Sequence, residues 1–337
     1  MTLSTAIFAF LGLAALIATA GTVLTRAGDR IADLTGLGEA LIGGVLLGGI
    51  SSLSGVMTSV TAAWNGHAHL SFSNAVGGIA AQTVFLAVAD LTYRRANLEH
   101  ASASLSNLMQ GILLMLMLTF VLLVVAGPDL TLWHIHPASV LLLLIYVLGT
   151  RLVAKARKSP MWKPIHTRET VEDEPDDDLD QVNKPLLFTR FLLSAMVVGV
   201  AGYFVAKVAV VIANQSGLSQ SFVGALFTSV ATSLPELVIS IAAVRQGALT
   251  LAVANIIGGN SFDVLFLAFA DTAYQEGSIY HEVGNAEAFV LSLGILLAGT
   301  LLLGMLHRQR EGLANAGWES MTVIGLFLGG YIMLYFM

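Results

Sequence analysis

The chain has 337 residues, 56% hydrophobic and 11% charged, with a formal net charge of −6. Soluble domains carry about 25% charged residues, so a chain this apolar has lipid as its main solvent. With no cysteine, disulfides, thiolate nucleophiles and sulfur-ligated metals are excluded.

Ten stretches are long enough to cross a bilayer core, near residues 4–25, 37–62, 70–92, 105–126, 133–153, 187–213, 218–244, 248–271, 285–306 and 318–336. Residues 1–20 read as the first span rather than a cleaved signal, because the basic n-region is missing. Threading the chain through these spans puts 15 of the 16 lysines and arginines on one side; Lys207 falls inside the sixth span. That side is expected to be cytoplasmic, with both termini outside. Residues 154–186 form a polar linker in which eight of the 22 acids lie between Glu169 and Asp180. A solvated cytoplasmic tether is the expected role; no calcium-hand spacing supports a cation sensor there.

Sliding Ile31–Leu91 onto Ile212–Thr272 at a constant offset of 181 gives 19 identities in 61 positions. An odd number of spans separates the copies, so each repeat has five spans and the two insert in opposite directions. The predicted fold is therefore all-α and polytopic: ten transmembrane helices as two inverted repeats, residues 1–153 and 187–337, joined by the linker. Paired, broken apolar segments in two such halves point to the binding site of a secondary transporter.

The chemistry-bearing residues lie in those segments. Glu236 follows Pro235 in Thr232-Ser233-Leu234-Pro235-Glu236, where proline breaks the helix and frees carbonyls. Asp263 ends Asn255-Ile-Ile-Gly-Gly-Asn-Ser-Phe-Asp263 and should sit at the same depth. An acid at that depth is costly unless it meets a cation or a proton. Two carboxylates with hydroxyls and carbonyls make an all-oxygen shell suited to a hard cation such as calcium, magnesium or sodium.

These two motifs resemble the second alpha-repeat of the cation/calcium exchanger superfamily. The resemblance implies a midplane site that binds calcium and a counter-cation alternately. It assigns Glu236 and Asp263 as principal ligands, with Thr232 and Ser233 supporting. The first repeat departs from the pattern: Ser51-Ser52-Leu53-Ser54-Gly55 keeps the hydroxyls but has Ser54-Gly55 for the family's Pro-Glu, and Gln82 stands where the family has Asn or Asp. Ser51, Ser52 and Gln82 complete the expected ligand set, although Gln82 could equally bond a neighbouring helix. With two carboxylates, one divalent ion, two sodium ions or two protons neutralise the site, and electroneutral exchange follows.

Elsewhere, Asn74 and Asn255 are expected to hold the broken helices together, with ligation as the alternative. Asp90 and Asp271 read as solvated helix ends, with a vestibule role as the alternative. Lys207 should snorkel outward, and Glu39 should complement the start of the second span. His67, His69, His134, His136 and His281 fall on the outer side, read as solvated loop residues with a metal or proton sensor as the alternative. The expected function is a cation antiporter without enzymatic activity or cofactor, carrying calcium against protons or sodium. A magnesium exchanger or a non-transporting scaffold is the alternative. No Ser–His pairing or His-Glu-x-x-His motif supports a hydrolase. The expected partners are the lipid bilayer, a prokaryotic inner membrane, and small inorganic cations, with no nucleic acid.

Overall fold

The computed structural model describes residues 1–35, 49–92, 97–158, 160–165, 183–246, 249–309 and 317–337. Among these the fold is all-helical, apart from one isolated bridge between Leu132 and Ile135. In chain order the helices are α1 (Leu3–Thr35), α2 (Leu53–Trp64), α3 (Ala68–Thr92), α4 (Leu98–Ser102), α5 (Leu105–Val125), α6 (Pro137–Lys158) and α7 (Lys184–Ser216). Then come α8 (Gln220–Thr232), α9 (Leu234–Gln246), α10 (Leu249–Asp263), α11 (Leu265–Ala273), α12 (Asn285–His307) and α13 (Trp318–Tyr335). Among the described residues, seven helical stretches are long and apolar enough to cross a membrane, or eight if the bent pair α8–α9 counts as one.

Helices α1 and α7, 33 residues each, lie along one another. At 1.5 Å per residue each is about 50 Å long, well beyond a hydrocarbon core of about 30 Å. Both exceed the predicted spans 4–25 and 187–213. Phe8, Leu11, Leu192, Leu193 and Met196 are exposed on them, as lipid-facing side chains should be.

The centre is built from α3 and the α10–α11 pair, each 78% buried over its apolar window against 33% for α1. Small residues allow this. A Cβ on Gly77 of α3 would collide with the backbone of Ala225 in α8, so only glycine permits that approach. Buried Phe72, Ile79, Met117, Leu118, Val290 and Leu297 fill the space between α3, α5 and α12.

Several predicted spans are interrupted. The span expected at 218–244 is two helices bent by 47° at Ser233. Pro235 has no N–H and cannot continue the ladder of α8. The span expected at 248–271 breaks at Val264. The one expected from 133 starts only at Pro137, because Trp133 and His134 take positive φ in the preceding turn. Of the span at 37–62, residues 37–48 lie outside the described residues, as do Glu39 and the acidic run Glu169–Asp180.

Candidate functional site

Two helix breaks face each other. Ser52 precedes α2 with φ −90° and ψ 11°, and Ser233, 181 residues later, follows α8 with φ −97° and ψ 6°. Only the second break has a proline. The first forms around Ser54, whose hydroxyl donates to the Thr232 carbonyl at 2.9 Å, satisfying an oxygen that the other break leaves free.

Each break serine meets the other copy's helix. Ser52 Oγ donates to Asp263 Oδ1 at 2.6 Å, while Ser233 Oγ accepts from Gln82 Nε2 at 3.3 Å. Gln82 Nε2 also donates to Asp263 Oδ2 at 2.5 Å, joining the two residues that correspond under the offset of 181. Around them lies a small, tightly closed cavity lined by Ser52, Gly55, Asn74, Gly78, Gln82, Thr232, Ser233, Glu236, Asp263 and Phe266. Six of the seven sequence-predicted site residues thus share one wall. Ser51 is buried but does not line it.

Glu236 and Asp263 are 1% and 2% exposed, and no basic side chain lines the cavity. Glu236 Oε2 and Gln82 Oε1 have no hydrogen-bond partner. Orphaned buried oxygens are costly unless something positive reaches them. The donor set of carboxylate, amide, hydroxyl and carbonyl oxygens is that of a hard cation. Among the described residues no group of three or more His, Asp or Glu converges as a metal cage, so the site's negative charge comes from this pair.

Asn74 ties the first break together. It donates to Ser59 Oγ at 2.9 Å and the Gly55 carbonyl at 3.3 Å, and it accepts from Thr228 Oγ1 at 2.7 Å. Its counterpart does not do the same: Asn255 Nδ2 and Ser240 Oγ are both without a partner. The expectation of two tying asparagines is corrected to one.

Asp90 and Asp271 are not solvated helix ends. Both are fully buried and each is clasped by three equivalent donors. Asp90 accepts from the Leu98 amide (2.8 Å), the Gly317 amide (3.2 Å) and Ser320 Oγ (2.9 Å). Asp271 accepts from the Ile279 amide (3.1 Å), the His136 amide (2.7 Å) and Ser139 Oγ (2.7 Å). Every donor pair differs by 181. The reading as helix-end solvation fails because each carboxylate caps the start of a neighbouring helix, as an acid at a helix N-terminus should.

The outer histidines also divide. His136 is buried beside Tyr280, and His69 Nδ1 lies 2.9 Å from buried Glu287, which Ser221 also contacts. His67 meets Gln220 at 3.3 Å, and burial, with Lys207 nearby, lowers its pKa despite that bond. Lys207 donates to Asn65 Oδ1 at 2.8 Å and lies 5.6 Å over the Tyr203 ring.

The family profile described as "Sodium/calcium exchanger protein" matches residues 5–154 and again residues 186–336. The chain belongs to the sodium/calcium exchanger family. CaxA of Alkalimonas amylolytica is 28% identical to this exchanger over 306 residues, 90% of this chain and 91% of that one. The sodium/calcium exchanger MaX1 of Methanosarcina acetivorans is 26% identical over 44% of this chain and 41% of its own length. The solved H+/Ca2+ exchanger CAX superposes with a TM-score of 0.71 at 12% identity, covering 98% and 84% of the two chains. The sodium-calcium exchanger NCX_Mj gives 0.61 at 18% identity, covering 97% and 98%. At these identities the two structures establish the shared fold. With its apolar helices, the family places the exchanger as an integral membrane protein. Sequence reasoning placed Gly55 at the site but missed Phe266 in the cavity wall; the shared phenylalanine of the repeats, Phe85 and Phe266, was the available signal.

Proposed function

We propose that this exchanger is a secondary antiporter that moves a divalent cation, calcium, against protons or sodium by alternating access. The observation that carries the reading is a pair of buried carboxylates, Glu236 and Asp263, facing one small cavity whose wall has no basic residue. A cation dehydrated there gains two charges and several neutral oxygens, while an empty site leaves Glu236 Oε2 without a partner.

The architecture is two inverted five-helix repeats of ten spans. The twofold match of the family profile supports this, as do the equivalent breaks at Ser52 and Ser233 and the equivalent clasps around Asp90 and Asp271. Rocking of the long pair α1 and α7 across the two breaks would expose the cavity to each side in turn. The basic side faces the cytoplasm of a prokaryotic cell, with the linker inside and both termini outside. Two carboxylates balance one divalent ion, so the exchange is electroneutral. Ser52, Ser233, Thr232 and Gln82 act as supporting ligands, Gln82 through the Oε1 that is unpartnered here.

Radioactive calcium uptake into proteoliposomes tests the reading, driven by a proton gradient or a sodium gradient with the voltage clamped. Uptake under either gradient without net current is expected. Its absence under both, or a current in proportion to flux, would overturn the reading or its charge balance respectively.

A further inference from the structure

The cation site is lopsided. In the second repeat Glu236 reaches in three residues after the break; 181 residues earlier the same position is Gly55. A Cβ on Gly55 would lie 2.5 Å from Cε2 and 2.9 Å from Cζ of Phe266. No side chain can therefore enter from position 55 while the ring is in place. Phe266 is 3% exposed and forms part of the cavity wall, whereas its repeat counterpart Phe85 does not. Where the acid exists the corresponding ring is absent from the wall, and where the acid is missing the ring stands in it.

The ring is also held there. Phe262 packs against it edge-on with centroids 6.2 Å apart, and Phe262 is itself braced by Tyr146 at 6.0 Å and Phe269 at 6.3 Å. Helix α2 is also packed closely on α7. A Cβ on Gly202 would meet the Ser54 carbonyl at 2.6 Å and Met57 Cβ at 3.1 Å.

We propose that Phe266 is a specificity-determining residue: its ring occupies the space of a first-repeat side chain at position 55 and confines the cavity to a single metal ion held against Glu236 and Asp263. The inference rests on the reading of this cavity as the cation site. A second metal ion would need oxygen ligands from the Gly55 side, and ring carbons offer no lone pair to a hard cation. It would also sit a few ångströms from the first ion in a low-dielectric site with no third negative charge to offset the repulsion. Sodium then displaces calcium as one ion together with one proton, which neutralises the second carboxylate and keeps the exchange electroneutral.

Calcium binding to the purified full-length protein, measured by titration calorimetry at fixed pH, tests this. Sodium is raised against choline at constant ionic strength, and the slope of log affinity against log sodium counts the ions displaced. The wild type should bind one calcium with a slope of about one. Phe266→Ala, alone or with Gly55→Glu, should raise the slope toward about two, while Phe266→Leu, which keeps most of the bulk, should stay near one. A wild-type slope near two would overturn the inference. So would a folded Phe266→Ala protein with an unchanged slope. If Phe266→Ala does not fold, the Gly55→Glu/Phe266→Ala protein, in which the new side chain refills the space, decides: an unchanged slope there counts against the plug. Calcium binding that persists at full strength in Glu236→Gln would sink the cation-site reading itself.

Discussion

The two ends of the molecule carry the same clasp and use it differently. At one end Asp271 is held by the Ile279 and His136 amides and Ser139, and Ser139 also meets the Tyr280 hydroxyl at 3.0 Å. At the other end Asp90 has the equivalent three donors, but a carboxylate, Glu99, replaces Tyr280, and Ser320 lies 3.4 Å from its Oε1. A second acid, Glu319, stands where the first end has Ala138, and Asn97 donates to it. Glu99 Oε2 and Glu319 Oε2 are buried without partners. The backbone of a repeat thus fixes where an acid is clasped, while the surrounding side chains set how much charge collects there. The centre obeys the same rule: equivalent breaks hold Glu236 and Asp263 in one copy, and Gly55 and Gln82 in the other.

The sharpest break of this comparison is at the centre. Asp263→Asn and Glu236→Gln each remove one of two charged ligands, worth about 3–5 kcal/mol when such a partner is buried. Calcium uptake should fall by a factor of about 100 or more, with insertion and folding intact. Flux at the wild-type rate in either variant would remove the pair from the site. Because Gln82 and Asp263 touch, an exchange of the two asks whether the site counts charge or position. Gln82→Asp combined with Asp263→Gln should recover at least about tenfold of the uptake lost in Asp263→Gln alone, since the carboxylate returns to the same contact. No recovery would mean that the two copies are not interchangeable in the cavity.

The clasps come next. Asp90→Asn and Asp271→Asn each lose charge-assisted bonds to two amides and a hydroxyl, so each should lower stability by about 2–4 kcal/mol. Thermal unfolding in detergent reads this, and a marked inequality between the two would show that Glu99 and Glu319 change what Asp90 contributes. A smaller effect is expected at Glu99 itself. Burial, followed by the charges of Asp90 and Glu319, holds its carboxyl well above the usual carboxylate range. The folded protein then binds this proton more tightly than the unfolded chain. The resulting stabilisation is full below the ordinary glutamate pKa of about 4.3 and is lost as pH rises through the folded value. Glu99→Gln should therefore flatten the decline of unfolding temperature toward alkaline pH; an unchanged decline would mean that Glu99 is not its source. Least of all, Tyr280→Phe should cost about 0.5–1.5 kcal/mol, one hydrogen bond, with no change in pH dependence.

The offset of 181 was legible in the sequence, and with it the paired breaks, the two intramembrane acids and the expectation that Thr232, Ser233, Ser52 and Gln82 join them. Hydropathy and a proline inside an apolar run suffice for that, because lipid forces every span to be a helix and makes each interruption conspicuous. Asp90 and Asp271 were misread as solvated because a carboxylate at the end of a span looks the same whether water or a neighbouring helix start receives it. Their donors, Gly317 and Ser320 for one and His136 and Ser139 for the other, come from more than 130 residues away in chain.

What the sequence determined by itself, then, was the repeat, the helical class and the identity of the charged groups, all of which depend on local composition and spacing. Only the folded molecule decided that Gln82 lies on Asp263, that a serine break forms without proline, and that Phe266 fills the notch at Gly55. Those outcomes depend on which side chains meet across helices far apart in sequence, and close packing admits a ring or a carboxylate in that space, not both.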